Sequence, residues 1–255
     1  MAASAKIIDL RNLLAERFPH SSCTTARRLI TGLPFLDEAI RGGLPRGAIT
    51  ELISPAGSAI KPATFSRPPA AMQQLRAGSD VGRAHSVAGE PGTSAGSASL
   101  IHGLVRCAYR DNYFLALIDG RDSFDPCGLD NAQLQHLLWV RCSKASESVK
   151  AADLLLRDGN FPLVIVDLVL NAPEELRKIP QTNWYRLQRL VEVLPTACLV
   201  LTRYEMVSSA QLKVVLENSW DIQTFETEDP LSQLRIVVKR SHLRSEVRNQ
   251  KSAVS

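Results

Sequence analysis

Residues 163–168, Leu-Val-Ile-Val-Asp-Leu, are apolar at every position but one. A run that short and that unbroken offers no wet face. It fits a strand covered on both sides, as the strands of parallel sheets are. Parallel neighbours need crossover connections, which helices usually supply. The surrounding sequence has them. Segments 49–53 (ITELI), 114–119 (FLALID), 137–142 (LLWVRC) and 197–202 (ACLVLT) read as further strands. Segments 100–110, 146–159 and 183–194 carry helical spacing between them, and 208–217 reads as one more helix. Two terminal strands follow, 221–229 and 231–241, in an antiparallel arrangement. Strands alternating with helices predict an α/β fold with a doubly wound, mostly parallel sheet flanked by helices.

Composition agrees with one large domain plus extensions: 255 residues, 45% hydrophobic and 22% charged. The net charge of +4 is compatible with nucleic acid but too weak to argue for it. Five scattered cysteines form no CxxC pair and suit no disulfide framework, and the five histidines outline no metal site. No apolar run is long enough to span a bilayer, and residues 1–18 lack a signal-peptide core, so the expected location is the cytoplasm. Residues 6–18 instead read as an amphipathic helix with Ile7, Leu10, Leu14 and Phe18 on one face. Ile7, Leu10 and Leu14 can pack on a neighbouring subunit or cap this chain's own core, and both readings stand. The expected organisation is an N-terminal helix and linker at 1–28, a core at 29–245 and a polar tail at 246–255.

The core is interrupted. From about 58 to 99 more than half the residues are Ala, Gly, Ser or Pro, with no sustained apolar period. Such a stretch buries too little to offset its ordering entropy, so 58–92 reads as a low-complexity, disordered insertion. Its flanks carry the chemistry. In a phosphate-binding loop, a buried strand ends in a glycine-rich turn that opens a helix. Backbone N–H groups cradle the phosphates, a lysine reaches the terminal ones, and a Ser/Thr hydroxyl holds Mg²⁺. The strand ITELI runs into SPAGSA, containing Gly57. If Ser54 takes the first glycine position, Ile60 falls where the lysine belongs and Lys61 comes one place late, before Pro62. On the far side, Gly96 takes the last glycine position. Ser97 then replaces the lysine, Ala98 replaces the hydroxyl residue, and Ser99 is a hydroxyl one place out of register. Serine cannot neutralise a triphosphate and alanine cannot ligate magnesium.

Other strand ends complete the candidate site. Asp167 closes LVIVD, where an acid would reach Mg²⁺ through water. Asp119 closes FLALID. Thr202 closes ACLVLT and reads either as a sensor of the terminal phosphate or as an ordinary strand-end threonine. The nucleotide-site remnant is therefore Gly57, Gly96, Ser97, Ser99, Asp119, Asp167 and Thr202. No catalytic residue and no cofactor are expected, with ATP and Mg²⁺ as the alternative. Basic residues Lys239, Arg240, His242, Arg244, Arg248 and Lys251 are candidates for contact with DNA phosphates or simply solvated charge. Trp184 and Tyr185 are core residues or base-stacking ones.

The segment 31–55, with Thr31-Gly32, Leu36-Asp37, Gly42-Gly43-Leu44-Pro45 and Gly47 in place, resembles the entry to the phosphate loop of RecA-type recombinases. LIDGRDSFDP resembles the segment after the next strand, with Asp119 and Asp125-Pro126 matching, and LVIVDL resembles the Walker B strand. The resemblance covers roughly 29–57 and 92–240. Arg121 stands where that family has its catalytic glutamate, and the segment after Thr202 is short and not glycine-rich. The pattern of LLWVRC, NWYRLQRL and LVLT looks closer to RecA-like accessory proteins of the ImuA type. The resemblance implies a RecA-like fold with a degenerate Walker A loop. It also implies a non-catalytic role in the DNA-damage (SOS) response, in translesion synthesis and induced mutagenesis. The implied partners are translesion polymerase components and RecA, with DNA touched indirectly or weakly. Two other readings remain: an ATP-dependent recombinase-like ATPase on single-stranded DNA, and a cell-division inhibitor acting by protein binding.

Overall fold

In a computed structural model, residues 12–14, 16–18, 27–54, 97–217 and 235–242 are described. They build one seven-stranded sheet with helices on both faces. The strands are β3 (Ala48–Ile53), β4 (Leu115–Asp119), β5 (Leu137–Arg141), β6 (Leu163–Asp167), β7 (Ala197–Thr202), β8 (Leu212–Glu217) and β9 (Arg235–Ser241). Their order across the sheet is β5-β4-β6-β7-β3-β8-β9. Every neighbouring pair is parallel except β8 with β9. A two-residue ladder, β1 (Arg28–Leu29) with β2 (Leu44–Pro45), stands apart from the sheet.

Strand alternation sorts the core into two layers. Leu163 and Ile165 of β6 face one side, packed with Leu100, Leu104 and Val105 of α2 (Ser97–Arg110). Val164 and Val166 face the other, packed with Val149 and Leu156 of α4 (Ala145–Asp158) and with Trp184 and Leu187 of α6 (Gln181–Glu192). Both faces of β6 are thus dry, which is why its sequence is apolar throughout. Three shorter helices are also described: α1 (Pro34–Ala39), α3 (Asn131–Leu134) and α5 (Pro173–Arg177).

The turn at Gly42-Gly43 demands its residue type. Gly43 has φ of 104°, and a Cβ there would lie 2.3 Å from the carbonyl oxygen of Leu29. Only glycine lets the β1–β2 ladder close that tightly.

One expected element is different. Residues 212–217, read from sequence as the end of a helix, form β8, parallel to β3. In LKVVLE the spacing of Leu212, Val215 and Leu216 suits a helix, but Leu212, Val214 and Leu216 equally suit a strand face. The valine pair favours the strand, and the open edge of β3 supplies its partner. The second expected terminal strand is β9, antiparallel to β8, while 221–229 lies outside the described residues, as does 58–92. Cys107, Cys142 and Cys198 are buried thiols and Cys127 is exposed; none is in a disulfide. Among the described residues no helix is long and apolar enough to cross a membrane.

Candidate functional site

The carboxyl ends of parallel strands form the face where open α/β sheets place their ligands. Here that face gathers Ser54, Asp119, Asp167 and Thr202. Ser54 follows β3, and its N–H donates to the carbonyl of Thr202 at 2.7 Å. The chain returns at α2, whose first turn holds buried Ser97, exposed Ala98 and half-buried Ser99. Gly57 and Gly96 lie outside the described residues.

Asp119 and Asp167 sit in register on adjacent strands. Their surroundings differ. Asp119 is buried, and its carboxylate accepts from the backbone N–H groups of Ser123 (2.8 Å), Phe124 (2.7 Å) and Arg121 (3.2 Å). The Ser123 hydroxyl and the Trp139 indole N–H, both at 3.3 Å, complete its shell. A carboxylate offers about four acceptor positions, so Asp119 is spent on its own loop. Asp167 accepts from one backbone N–H, that of Val169 at 3.0 Å. Burial pushes its carboxyl up to about 6; the Val169 N–H opposes this, and the nearby Asp119 charge adds to it.

The loop after β4 is braced against the segment after β6. Asn171 is buried and donates from Nδ2 to the Gly120 carbonyl at 2.9 Å and to Glu175 at 3.2 Å. A Cβ at Gly120 would meet Asn171 Oδ1 at 2.3 Å and the Asp167 carbonyl at 2.6 Å, so this contact requires glycine. Arg121 follows. Its guanidinium donates to the Ser143 carbonyl at 3.3 Å and lies 3.8 Å from Glu175, with about half its side chain exposed. An arginine so placed neutralises and braces; it has no lone pair with which to take a proton from water.

Thr202 is fully buried, and its hydroxyl donates to Glu51 at 3.4 Å. Glu51 is the residue that sequence reasoning missed. It is a fully buried acid on β3 that accepts the N–H groups of Met206 (2.7 Å) and Val207 (2.9 Å) and pairs with buried Lys213 of β8 at 2.9 Å. Lys213 continues to Glu205 at 3.1 Å, and Glu205 to Lys239 of β9 at 3.2 Å. This chain of charges fixes the 203–207 segment on the sheet. The available signal was a lone acid inside the apolar run AITELI.

The remaining candidates fall as follows. Leu14 and Phe18 are buried in this chain's own core, Phe18 edge-on to Phe114 with centroids 5.2 Å apart. That favours capping over intersubunit packing for this part of the segment; Ile7 and Leu10 lie outside the described residues. Trp184 is fully buried in the core and Tyr185 is half exposed. Of the basic cluster, Lys239 is paired with Glu205 and Arg240 contacts His242; Arg244, Arg248 and Lys251 lie outside the described residues. Among the described residues no group of three His, Cys, Asp or Glu side chains outlines a metal site.

No protein-family model matches the chain, and no curated protein matches it. Among solved structures it is similar to the RadB recombinase, at 14% identity and a TM-score of 0.52, over 85% of this chain and 91% of that one. At that identity the likeness speaks for architecture alone, and it agrees with the strand order and helix layers above: the chain has a RecA-like α/β fold.

Proposed function

We propose that this chain is a non-catalytic, RecA-like accessory protein of the DNA-damage response. It serves as a cytoplasmic docking body in translesion synthesis, in the manner of ImuA-type proteins, beside polymerase components and RecA. Phosphoryl-transfer catalysis rests on positioning and charge. A site of this kind needs a lysine and a hydroxyl at the loop, and a group that orients water. The observation that carries the reading is the corner after β4. Asp119 has committed its acceptors to its own loop, and Arg121 braces that loop against Ser143 and Glu175 where a catalytic glutamate would stand. Ser97 and Ala98 at the start of α2 support it, since Ser97 has no charge to neutralise a terminal phosphate and Ala98 has no oxygen to ligate a metal. The RecA-like architecture supports a place in DNA metabolism.

The test is binding of a fluorescent ATP analogue together with steady-state hydrolysis, each with and without single-stranded DNA. The expected result is no turnover in either condition and no DNA-dependent change in binding. DNA-stimulated turnover, lost in Lys61→Ala, would replace the accessory reading with that of a recombinase-type ATPase whose lysine enters from the insertion.

A further inference from the structure

The net charge of +4 is not spread along the chain. Residues 239–255 hold five of the 30 lysines and arginines and one of the 26 acids, so residues 1–238 balance to zero. The fold decides where that excess is placed. β9 runs antiparallel to β8, so it leaves the sheet at the rim where β7, β3 and β8 begin. The exit is pinned there: the His242 N–H donates to the Gln211 carbonyl at 2.7 Å, and the Gln211 N–H to the Ile49 carbonyl at 3.0 Å. Arg46 enters β3 on the same rim, with its guanidinium on the Pro195 carbonyl. Two strand spacings, about 10 Å, separate that entry from the exit of β9. No Asp or Glu occurs among residues 45–47, 193–196, 208–211 and 241–242, which lie along this rim. The opposite rim is acidic, since Asp119, Asp167 and Glu217 end β4, β6 and β8.

The cations at the exit have no evident use inside the sheet. Register sets exposed Arg240 opposite Lys213, a like charge that Glu51 already answers. Like charges directly opposite do not stabilise a strand pair. The Arg240 guanidinium contacts the exposed His242 ring, and no acid lies within ion-pair distance of it among the described residues. Lys239 differs, being held by Glu205. Beyond His242 the sequence adds Arg244, Arg248 and Lys251 against a single acid, Glu246.

We propose that this rim, with the segment that follows β9, binds the phosphate backbone of DNA without reading its sequence. The cations are strung along a line rather than gathered round a point. A nucleic-acid strand presents a charge about every 3.4 Å, so a line of cations finds phosphates wherever it lands. An acidic protein would need carboxylates set at matching positions. Attachment to a bilayer surface adds a broad apolar or aromatic face to the cations, and residues 239–255 contain no aromatic. The inference goes beyond the accessory reading and does not depend on it, because these contacts need neither ATP nor the strand ends of the candidate site.

Fluorescence anisotropy of a fluorescein-labelled twenty-five-base-pair duplex with the full chain, in the absence of nucleotide, tests it. Four phosphate contacts, from Arg240, Arg244, Arg248 and Lys251, predict an affinity that falls on the order of a hundredfold between about 50 and 200 mM salt. Two duplexes of unrelated sequence should bind alike. Arg240→Glu/Arg244→Glu should weaken binding at least about tenfold at about 100 mM salt. Lys144→Glu/Lys150→Glu reverses the same amount of charge at exposed positions just after β5 and on α4, away from this rim. It should change the affinity less than about threefold. Circular dichroism checks that each variant is folded. Should the Arg240 substitution disturb the sheet, Arg248→Glu/Lys251→Glu is read in its place with the same expected loss. Equal losses in the two charge-matched variants would reduce the effect to net charge and overturn the proposal. So would a Kd above about 10⁻⁴ M at about 50 mM salt, or displacement of the duplex by polyaspartate of equal charge. Tighter binding to phosphatidylserine vesicles than to DNA would assign the rim to a membrane surface instead. A failure here leaves the ATP result standing, and DNA-stimulated turnover would leave the location of this rim to be decided by the same variants.

Discussion

Asp167 shows how one environment can turn a sequence signal into a cost. Its carboxyl titrates near 6 in the folded chain, against an ordinary value of 3.8, chiefly because burial disfavours the charge. Between those values the folded protein binds more protons than the unfolded one, so stability falls as pH rises through the window. Below 3.8 the penalty is absent, and above 6 it is complete. Asp167→Asn keeps an oxygen for the Val169 N–H and removes the charge. It is expected to be more stable than wild type by roughly 1–3 kcal/mol at pH 7.5 and equal to it at pH 3.5. Urea melts at the two values check this; a variant less stable at pH 7.5 would mean that the carboxylate is held by a favourable charge partner instead. Sequence spacing placed Asp119 and Asp167 at strand ends. It gave no sign that the first would be saturated by its own loop and the second nearly bare, because that difference lies in backbone N–H groups, which carry no letter in a sequence. Asn171 was invisible for the same reason: its partner is a carbonyl 51 positions away.

At the scale of elements, β3 and β8 are joined by a charge pair inside the sheet. Lys213 is 3% exposed and Glu51 fully buried. Removing one partner strands the other in a dry interior. Lys213→Met is therefore expected to cost about 3–5 kcal/mol, measured as a shift in the urea midpoint. The double variant Glu51→Leu/Lys213→Met removes both charges and should recover part of that loss. Recovery stays incomplete because the Met206 and Val207 N–H groups then lose their acceptor. Full recovery would show that those two hydrogen bonds contribute little. The pair also explains why 208–217 suits a helix on spacing alone. Lys213 is a polar letter between apolar ones, and a six-residue segment matches both periods until its partner strand is known. The apolar runs of β4, β6 and β7 carry no such ambiguity, since their polar letters, Asp119, Asp167 and Thr202, stand at the strand ends. They make the parallel sheet legible in the sequence itself.

Across the whole molecule, protection should follow strand order rather than chain order. β6, β7 and β3 have neighbours on both sides, whereas β5 and β9 are edges. In hydrogen–deuterium exchange the three central strands are expected to exchange last and β5 and β9 first, since edge backbone groups open without global unfolding. Early exchange of β3 would mean that the sheet divides into two cooperative units at the β7–β3 boundary. The same order has a consequence for how the chain is made. β3 is the first strand of the sheet to be synthesised, yet its hydrogen-bonding neighbours are β7 and β8, more than 140 residues later. A ribosome adding about 5–20 residues per second leaves that apolar strand with both edges open for many seconds. Throughout that interval Glu51 has neither its lysine nor the two N–H groups that later hold it. A polar residue in the middle of a waiting strand discourages premature pairing with other chains. Glu51, the acid that ties β3 to Lys213 of β8 in the finished protein, is by the same charge expected to hinder association of the waiting strand with other chains.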